Sequence, residues 1–211
     1  LFSYVIDCSL KNEKKVLKHK DVQPCPDETY HFVSSGTRIM NTRPVVVGFG
    51  PAGMFASLIL AEAGYQPIVV ERGSMVSLRK EKVDTFWQTG KLDPECNVQF
   101  GEGGAGAFSD GKLTTRSKDS RARKVLEELV DFGAKEDILI DAHPHIGTDA
   151  FLKIIENCRK KIIDLGGTFY FDTCLKDIKT KQNKLAEIKI NDTWIPCENM
   201  ILTIGHSATD T

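Results

Sequence analysis

The sequence predicts an α/β fold built on a parallel sheet with a small antiparallel meander attached, and three observations predict it. The apolar run Val45-Val46-Val47 leads directly into Gly48-Phe49-Gly50-Pro51-Ala52-Gly53. The almost wholly apolar stretch from Met54 to Ala63 follows, and a second apolar run, Pro67-Ile68-Val69-Val70, then ends in the acid Glu71. Continuous apolar runs on either side of a helical stretch are what a parallel crossover unit requires, because its strands are covered on both faces.

Taken in chain order, residues 1 to 43 read as a strand from Phe2 to Cys8, a Lys-rich turn and a connector containing Pro24 and Pro26, without a complete core of their own. We expect this stretch to be the remnant of a separate N-terminal domain, and residues 44 to 211 to form one nucleotide-binding domain. In that domain Gly48 permits the tight strand-to-helix turn, Gly50 allows close backbone approach to a pyrophosphate, and Gly53 lets helix and strand pack closely. Pro51 suits the first position of a helix whose free N–H groups face the phosphates, and Gly64 suits its end. Glu71, eighteen positions after Gly53, stands where an acid reaches a ribose hydroxyl and repels a 2′-phosphate. FAD and NAD both satisfy this arrangement, and NADP fits it less well.

Met75 to Thr89 reads as a helix and Gly90 to Pro94 as a turn. The segment from Asn97 to Leu113 is the densest in glycine, and Gly101, Gly103 and Gly106 repeat the Gly-x-Gly-x-x-Gly spelling. It is not a second nucleotide fold, since Phe108-Ser109-Asp110-Gly111 breaks a helix where one would have to start. We expect a loop whose backbone N–H groups and small residues receive a flat ring or a phosphate. Helices are expected from Arg121 to Phe132 and from Asp149 to Leu165, the second capped by Thr148 or Asp149 and stopped by Gly166-Gly167. Strands at Thr168 to Asp172, Leu185 to Ile190 and Trp194 to Pro196 are assigned to the meander. Met200 to Gly205 is assigned to a short buried strand returning to the central sheet.

Composition narrows the function classes. With 41% hydrophobic and 27% charged residues, 211 residues can bury a sizeable core. Lys plus Arg (28) nearly balances Asp plus Glu (29), so no overall field argues for nucleic acid or an anionic membrane as partner. No signal-peptide pattern or membrane-length apolar run is present in the sequence, which points to the cytoplasm. The six cysteines form no C-x-x-C pair and read as reduced thiols, Cys96 included. His143-Pro144-His145 projects two imidazoles to one side of an extended segment near Asp141 and Asp149, but with no further ligand at a useful spacing we assign no metal. Trp87 and Trp194 read as packing aromatics.

The motif Val45 to Gly73, the segment Asn97 to Gly106 with Phe108-Ser109-Asp110-Gly111-Lys112-Leu113, the string Pro144-His145-Ile146-Gly147-Thr148-Asp149 and the end Ile204-Gly205-His206-Ser207-Ala208 together carry a resemblance. They resemble a bacterial family of uncharacterised FAD-dependent dehydrogenases. The resemblance implies a glutathione-reductase-like, FAD/NAD(P)-binding Rossmann-like fold, truncated here, because the family's proteins carry a further substrate region and a closing FAD segment. It implies FAD as cofactor, with Gly48, Gly50, Pro51, Ala52 and Gly53 at the pyrophosphate and Glu71 on the ribose, Arg72 and Gly73 beside it. It also implies adenine near Leu175, and Gly103, Gly104, Ala105, Gly106, Lys112, Ile204 and Gly205 toward the rest of the cofactor. Lys112 or His145 is a candidate for tuning the flavin. Ser57 and Cys96 depart from the Ala and Ser expected there. The implied activity is that of an FAD-dependent oxidoreductase acting on a small-molecule substrate, with NADH or NADPH as candidate electron donors and the fragment itself inactive. The alternatives are a non-catalytic FAD-binding scaffold or redox sensor, and an NAD-dependent dehydrogenase.

Overall fold

The computed structural model describes residues 3–27, 29–33, 36–37, 39–109, 111–115, 119, 121–141 and 143–205. Phe2, Asp110 and His206 to Ala208, which enter the expectations above, lie outside the described residues. Through residues 3–8 the chain forms no strand: Tyr4, Val5 and Ile6 are exposed, and a β-forming composition without a neighbouring strand has no ladder to join. Among the described residues of this arm the one regular element is a one-turn helix, α1 (Glu13–Val16).

From Pro44 the chain enters its core. Strand β1 (Val45–Val47) runs into helix α2 (Pro51–Glu62) and back through β2 (Ile68–Val70), which pairs parallel with β1 in the register Val45 to Ile68. Helix α2 begins with Pro51 at its first position and Gly50 as N-cap; Gly64 follows its C-cap, Ala63, at φ +81°. Helix α3 (Val76–Thr89) ends on the left-handed Gly90. Helices α4 (Arg121–Asp131) and α5 (Thr148–Asp164) follow. Gly147, not Thr148 or Asp149, is the N-cap of α5, because the Thr148 hydroxyl is engaged elsewhere, donating to the Ser109 carbonyl at 3.0 Å.

Strand β3 (Thr168–Tyr170) pairs parallel with β2 and so belongs to the central sheet rather than the meander. The meander consists of β4 (Leu175–Lys181), β5 (Lys184–Ile190) and β6 (Thr193–Pro196). Its first hairpin turns at Gln182 and Asn183, both at positive φ, the geometry of a tight two-residue connection. Strand β7 (Met200–Leu202) returns beside β1, giving the central order β3-β2-β1-β7 with all pairs parallel. It is an edge strand, with Ile201 and Leu202 exposed, and not the buried strand its composition suggests.

Three layers result. On one sheet face Phe49 and Val69 pack with Met54 and Leu58 of α2 and Ile154, Ile155, Cys158 and Ile162 of α5. On the other, Val45, Val47 and Val70 meet Ile188 and Cys197 of the meander. Each fully buried aliphatic side chain here is worth about 1.5–3 kcal/mol. The layering brings the C-terminal ends of β1, β2 and β7, the start of α2 and the start of β4 together along one edge. No helix among the described residues is long and apolar enough to cross a membrane.

Candidate functional site

That edge holds a cleft of about 970 Å³. Gly48, Gly50, Pro51 and Ala52 form its centre; Glu71, Arg72, Cys174, Leu175 and Lys176 lie on one side, and Gly104, Ala105, Gly106, Thr203, Ile204 and Gly205 complete it. Twelve of the sequence-predicted site residues are thus brought to one surface. Gly53, Gly73, Gly103 and Lys112 are not among its lining residues. Lys112 instead faces His145 in an antiparallel bridge, flanked by backbone bonds from Leu113 to Pro144 and from Ile146 to Gly111. Among the described residues no group of three or more His, Cys, Asp or Glu side chains is gathered as a metal site.

The glycines of the first loop have different reasons to be there. A Cβ on Gly48, which sits at φ +94°, would come within 2.6 Å of the Thr203 carbonyl, and one on Gly53 within 1.9 Å of the Gly48 carbonyl. The fold itself excludes side chains at both. Gly50 has an ordinary extended conformation, φ −77°, and a Cβ there would meet only Gly104 Cα at 3.7 Å, a normal contact. Among the described residues no contact requires glycine at 50, which lines the open cleft.

Glu71 is 4% exposed, and its two carboxylate oxygens accept the backbone N–H groups of Phe49 (2.7 Å) and Gly73 (2.9 Å). It therefore ties the end of β2 to the glycine turn, and each oxygen keeps lone-pair capacity toward the cleft. Thr203, which the sequence reading missed, braces the same turn: its N–H donates to the Val47 carbonyl, and its hydroxyl lies 2.8 and 2.9 Å from the Val47 and Gly48 carbonyls.

The second glycine segment is organised by Arg79, also missed. This side chain is fully buried, and its guanidinium reaches five backbone carbonyls: Asn97, Val98, Gly101, Glu102 and Gly104, at 2.6–3.2 Å. Burial pulls its pKa down to about 10, against the pull of Glu71, Cys96 and Glu102, so the group remains charged at neutral pH. Glu102, likewise fully buried, accepts the Val76 N–H at the start of α3 (2.6 Å) and Arg159 Nε (2.7 Å), and burial raises its pKa despite those donors. The N–H groups of Glu102, Gly103 and Gly104 are spent on Ser74, Phe49 and Gly101. The amide donors of these three residues are therefore not free for a ligand; the loop is packed against the fold and lines the cleft with Gln99 to Gly101 and Gly104 to Gly106. A sequence signal existed only in part: an arginine in the charged run Arg79-Lys80-Glu81-Lys82 reads as a solvated face.

Cys96 is buried and accepts the Ser74 N–H at 3.4 Å. Cys158 is buried and pushed up to about 12, chiefly by burial, so it is a protonated, inert thiol. Trp87 packs edge-on to Phe108, and Trp194 lies under the Lys179 ammonium, 3.6 Å from its ring centre.

No protein-family model matches the chain. An uncharacterized protein of Clostridium beijerinckii (strain ATCC 51743 / NCIMB 8052) is 48% identical over 212 residues, covering 99% of this chain and 40% of that protein. The chain thus spans about two fifths of this relative's length. Among solved structures, THI4 of Thermovibrio ammonificans is similar with a TM-score of 0.53 at 19% identity, over 80% of this chain and 59% of that one. The 3-ketosteroid-delta4-(5alpha)-dehydrogenase of Rhodococcus jostii RHA1, solved with 4-androstene-3,17-dione, gives a TM-score of 0.46 at 15% identity, over 76% and 45%. With its four-stranded parallel sheet, covering helices and small antiparallel sheet, the chain has a Rossmann-like α/β fold.

Proposed function

We propose that this chain is the FAD-binding portion of a flavin-dependent oxidoreductase. The observation that carries the reading is Gly50: it is free of every internal demand for glycine, yet it stands in the cleft at the start of α2. A site that must let a diphosphate touch the backbone has this pattern. The residues present fit such a group. The start of α2 has no acidic residue in its first turn to repel phosphate, and Glu71, already fixed by Phe49 and Gly73, would accept ribose hydroxyls on its remaining lone pairs. Arg72 and Leu175 would hold the adenine end, and Ala105, Gly106, Ile204 and Gly205 the opposite end. Bound FAD supplies hydride transfer, while the chain binds and orients it. A cleft that extends to both sides of the glycine turn has room for both halves of a dinucleotide, and the resemblance to FAD-dependent dehydrogenases favours FAD over NAD.

The test uses the intact protein. We expect it to be yellow and to release FAD on denaturation. Gly50→Ala should leave the unfolding free energy within about 0.5 kcal/mol of wild type, since its methyl group has room. The same change should weaken FAD binding at least about tenfold, a loss of about 1.4 kcal/mol. A protein that binds NAD but no flavin, or a Gly50→Ala variant with unchanged FAD affinity, would overturn the reading.

A further inference from the structure

Outside the lining of the cleft, one pair of basic side chains is held face to face. Residues 111–113 and 144–146 form a two-stranded antiparallel ribbon, closed by the Leu113 N–H on the Pro144 carbonyl and the Ile146 N–H on the Gly111 carbonyl, both at 2.9 Å. Those bonds flank Lys112 and His145 and make them a non-hydrogen-bonded pair, the register that brings opposite side chains closest. Pro144 and Ile146 are buried and Leu113 is half-buried, so alternation sends Lys112 and His145 together to the exposed side. The ribbon is tightly built. A Cβ on Gly111, at φ +65°, would lie 2.0 Å from the Ile146 carbonyl oxygen.

Two basic groups directly opposite one another on a ribbon oppose folding rather than support it. The nearby acid Asp149, on the first turn of α5, is turned instead to Lys80 of α3, 3.9 Å away. The His145 ring has no hydrogen bond or ion pair among the described residues. An ammonium brings three donors and no acceptor, and an imidazole brings at least one donor, so the pair is a donor set suited to an oxyanion. Ser109 places it beside the cleft. Its hydroxyl donates to the carbonyl of Gly106, a cleft-lining residue, at 2.9 Å and accepts the Gly111 N–H, at the start of the ribbon, at 3.2 Å. We infer that Lys112 and His145 together form an oxyanion site, a clamp for the carboxylate or phosphate group of the molecule that reacts in the cleft, at the end marked by Gly106. The oxyanion site follows from the ribbon alone, and its role toward a substrate rests on the flavin reading.

The experiment titrates the intact protein, at low ionic strength, with acetate and inorganic phosphate as probes and chloride as the control. The NMR signals of the His145 ring and the flavin absorbance are followed together. We expect saturable shifts of the ring signals with at least one probe and none with chloride, and a change in the flavin spectrum at saturation. Saturation by acetate assigns a carboxylate, and saturation by phosphate a phosphoryl group. Lys112→Ala should weaken the bound probe about tenfold, the worth of a charge-assisted hydrogen bond. His145→Glu separates binding from folding: it should abolish binding while raising the unfolding midpoint, because an acid opposite Lys112 turns repulsion into attraction. Shifts for which chloride serves as well as either probe, undiminished affinity in Lys112→Ala, or a His145→Glu variant that keeps the probe or unfolds earlier would each overturn the inference. Saturable binding with an unchanged flavin spectrum would overturn the role toward substrate. A protein that binds the probe and holds no flavin would remove the flavin reading, and that role with it, while the oxyanion site stood.

Discussion

The loops at residues 48–53 and 101–106 share the spelling Gly-x-Gly-x-x-Gly but turn opposite sides of the peptide group to their surroundings. The first opens a helix, so amide donors at the start of α2 face the cleft while its carbonyls are received inside by Thr203. The second, with the residues leading into it, turns carbonyls onto the buried cation of Arg79 and spends the amides of residues 102–104 within the fold. Its glycines answer to packing: a Cβ on Gly101 would lie 2.5 Å from Arg79 Cδ, and one on Gly103 2.3 Å from Ile155 Cδ1. A glycine pattern specifies where backbones come close; whether the partner is a ligand or the protein depends on which peptide groups are left over.

The contrast is broken most severely at Arg79. Arg79→Met removes the group that five carbonyls share and should cost about 3–5 kcal/mol, read from the urea midpoint, because buried acceptors lose their donor. A loss under about 1 kcal/mol would mean the second loop holds its shape without the cation. The first loop can be sharpened rather than broken. Ser57, on the buried face of α2, has a hydroxyl with no hydrogen-bond partner among the described residues. Ser57→Ala should raise stability by about 1 kcal/mol, and a lower midpoint would show that the hydroxyl is satisfied.

The gentlest probe needs no substitution. Cys158 lies on α5, which also carries Ile155 against Gly103 and Arg159 on Glu102, so its accessibility reports the backing of the second loop. Its folded pKa is raised above the ordinary 9.0, so the folded state holds a proton the unfolded state loses, and this contribution to stability declines as pH rises from about 9 toward 12. In native protein at pH 8, alkylating reagents should label Cys8 and Cys25 first and spare Cys158 until unfolding. Rapid native labelling of Cys158 would show that α5 separates from the loop.

The crossover unit is legible in the sequence because its information is local: apolar runs, Pro51, Gly64 and Gly90 each act within a few positions. Which sheet a strand joins is not local. Thr168 to Tyr170 has the same half-apolar character whether it lies beside β2 or in a hairpin, and only the path of α5 settles it. Strand β4 is hidden by its own chemistry, since Lys-Asp-Ile-Lys-Thr-Lys on an exposed meander has almost no apolar pattern to read. In the site, Gly48, Gly50, Pro51, Ala52 and Glu71, whose positions follow from local spacing, line one cleft, whereas Thr203 and Arg79 act through contacts between distant segments. Arg79 was the hardest to see, because a buried arginine and a surface one look alike in a charged helix.

The meeting of Thr203 with the Gly48 turn also sets a clock. The two lie 155 positions apart, and β7 pairs with β1 only when that late stretch has returned. A nascent chain that has made the glycine turn, α2 and Glu71 therefore owns every residue of the nucleotide motif but not the brace beneath it. The glycine turn is therefore braced only near the end of this region's synthesis, and until then the carbonyls of Val47 and Gly48 await a strand that has not been made.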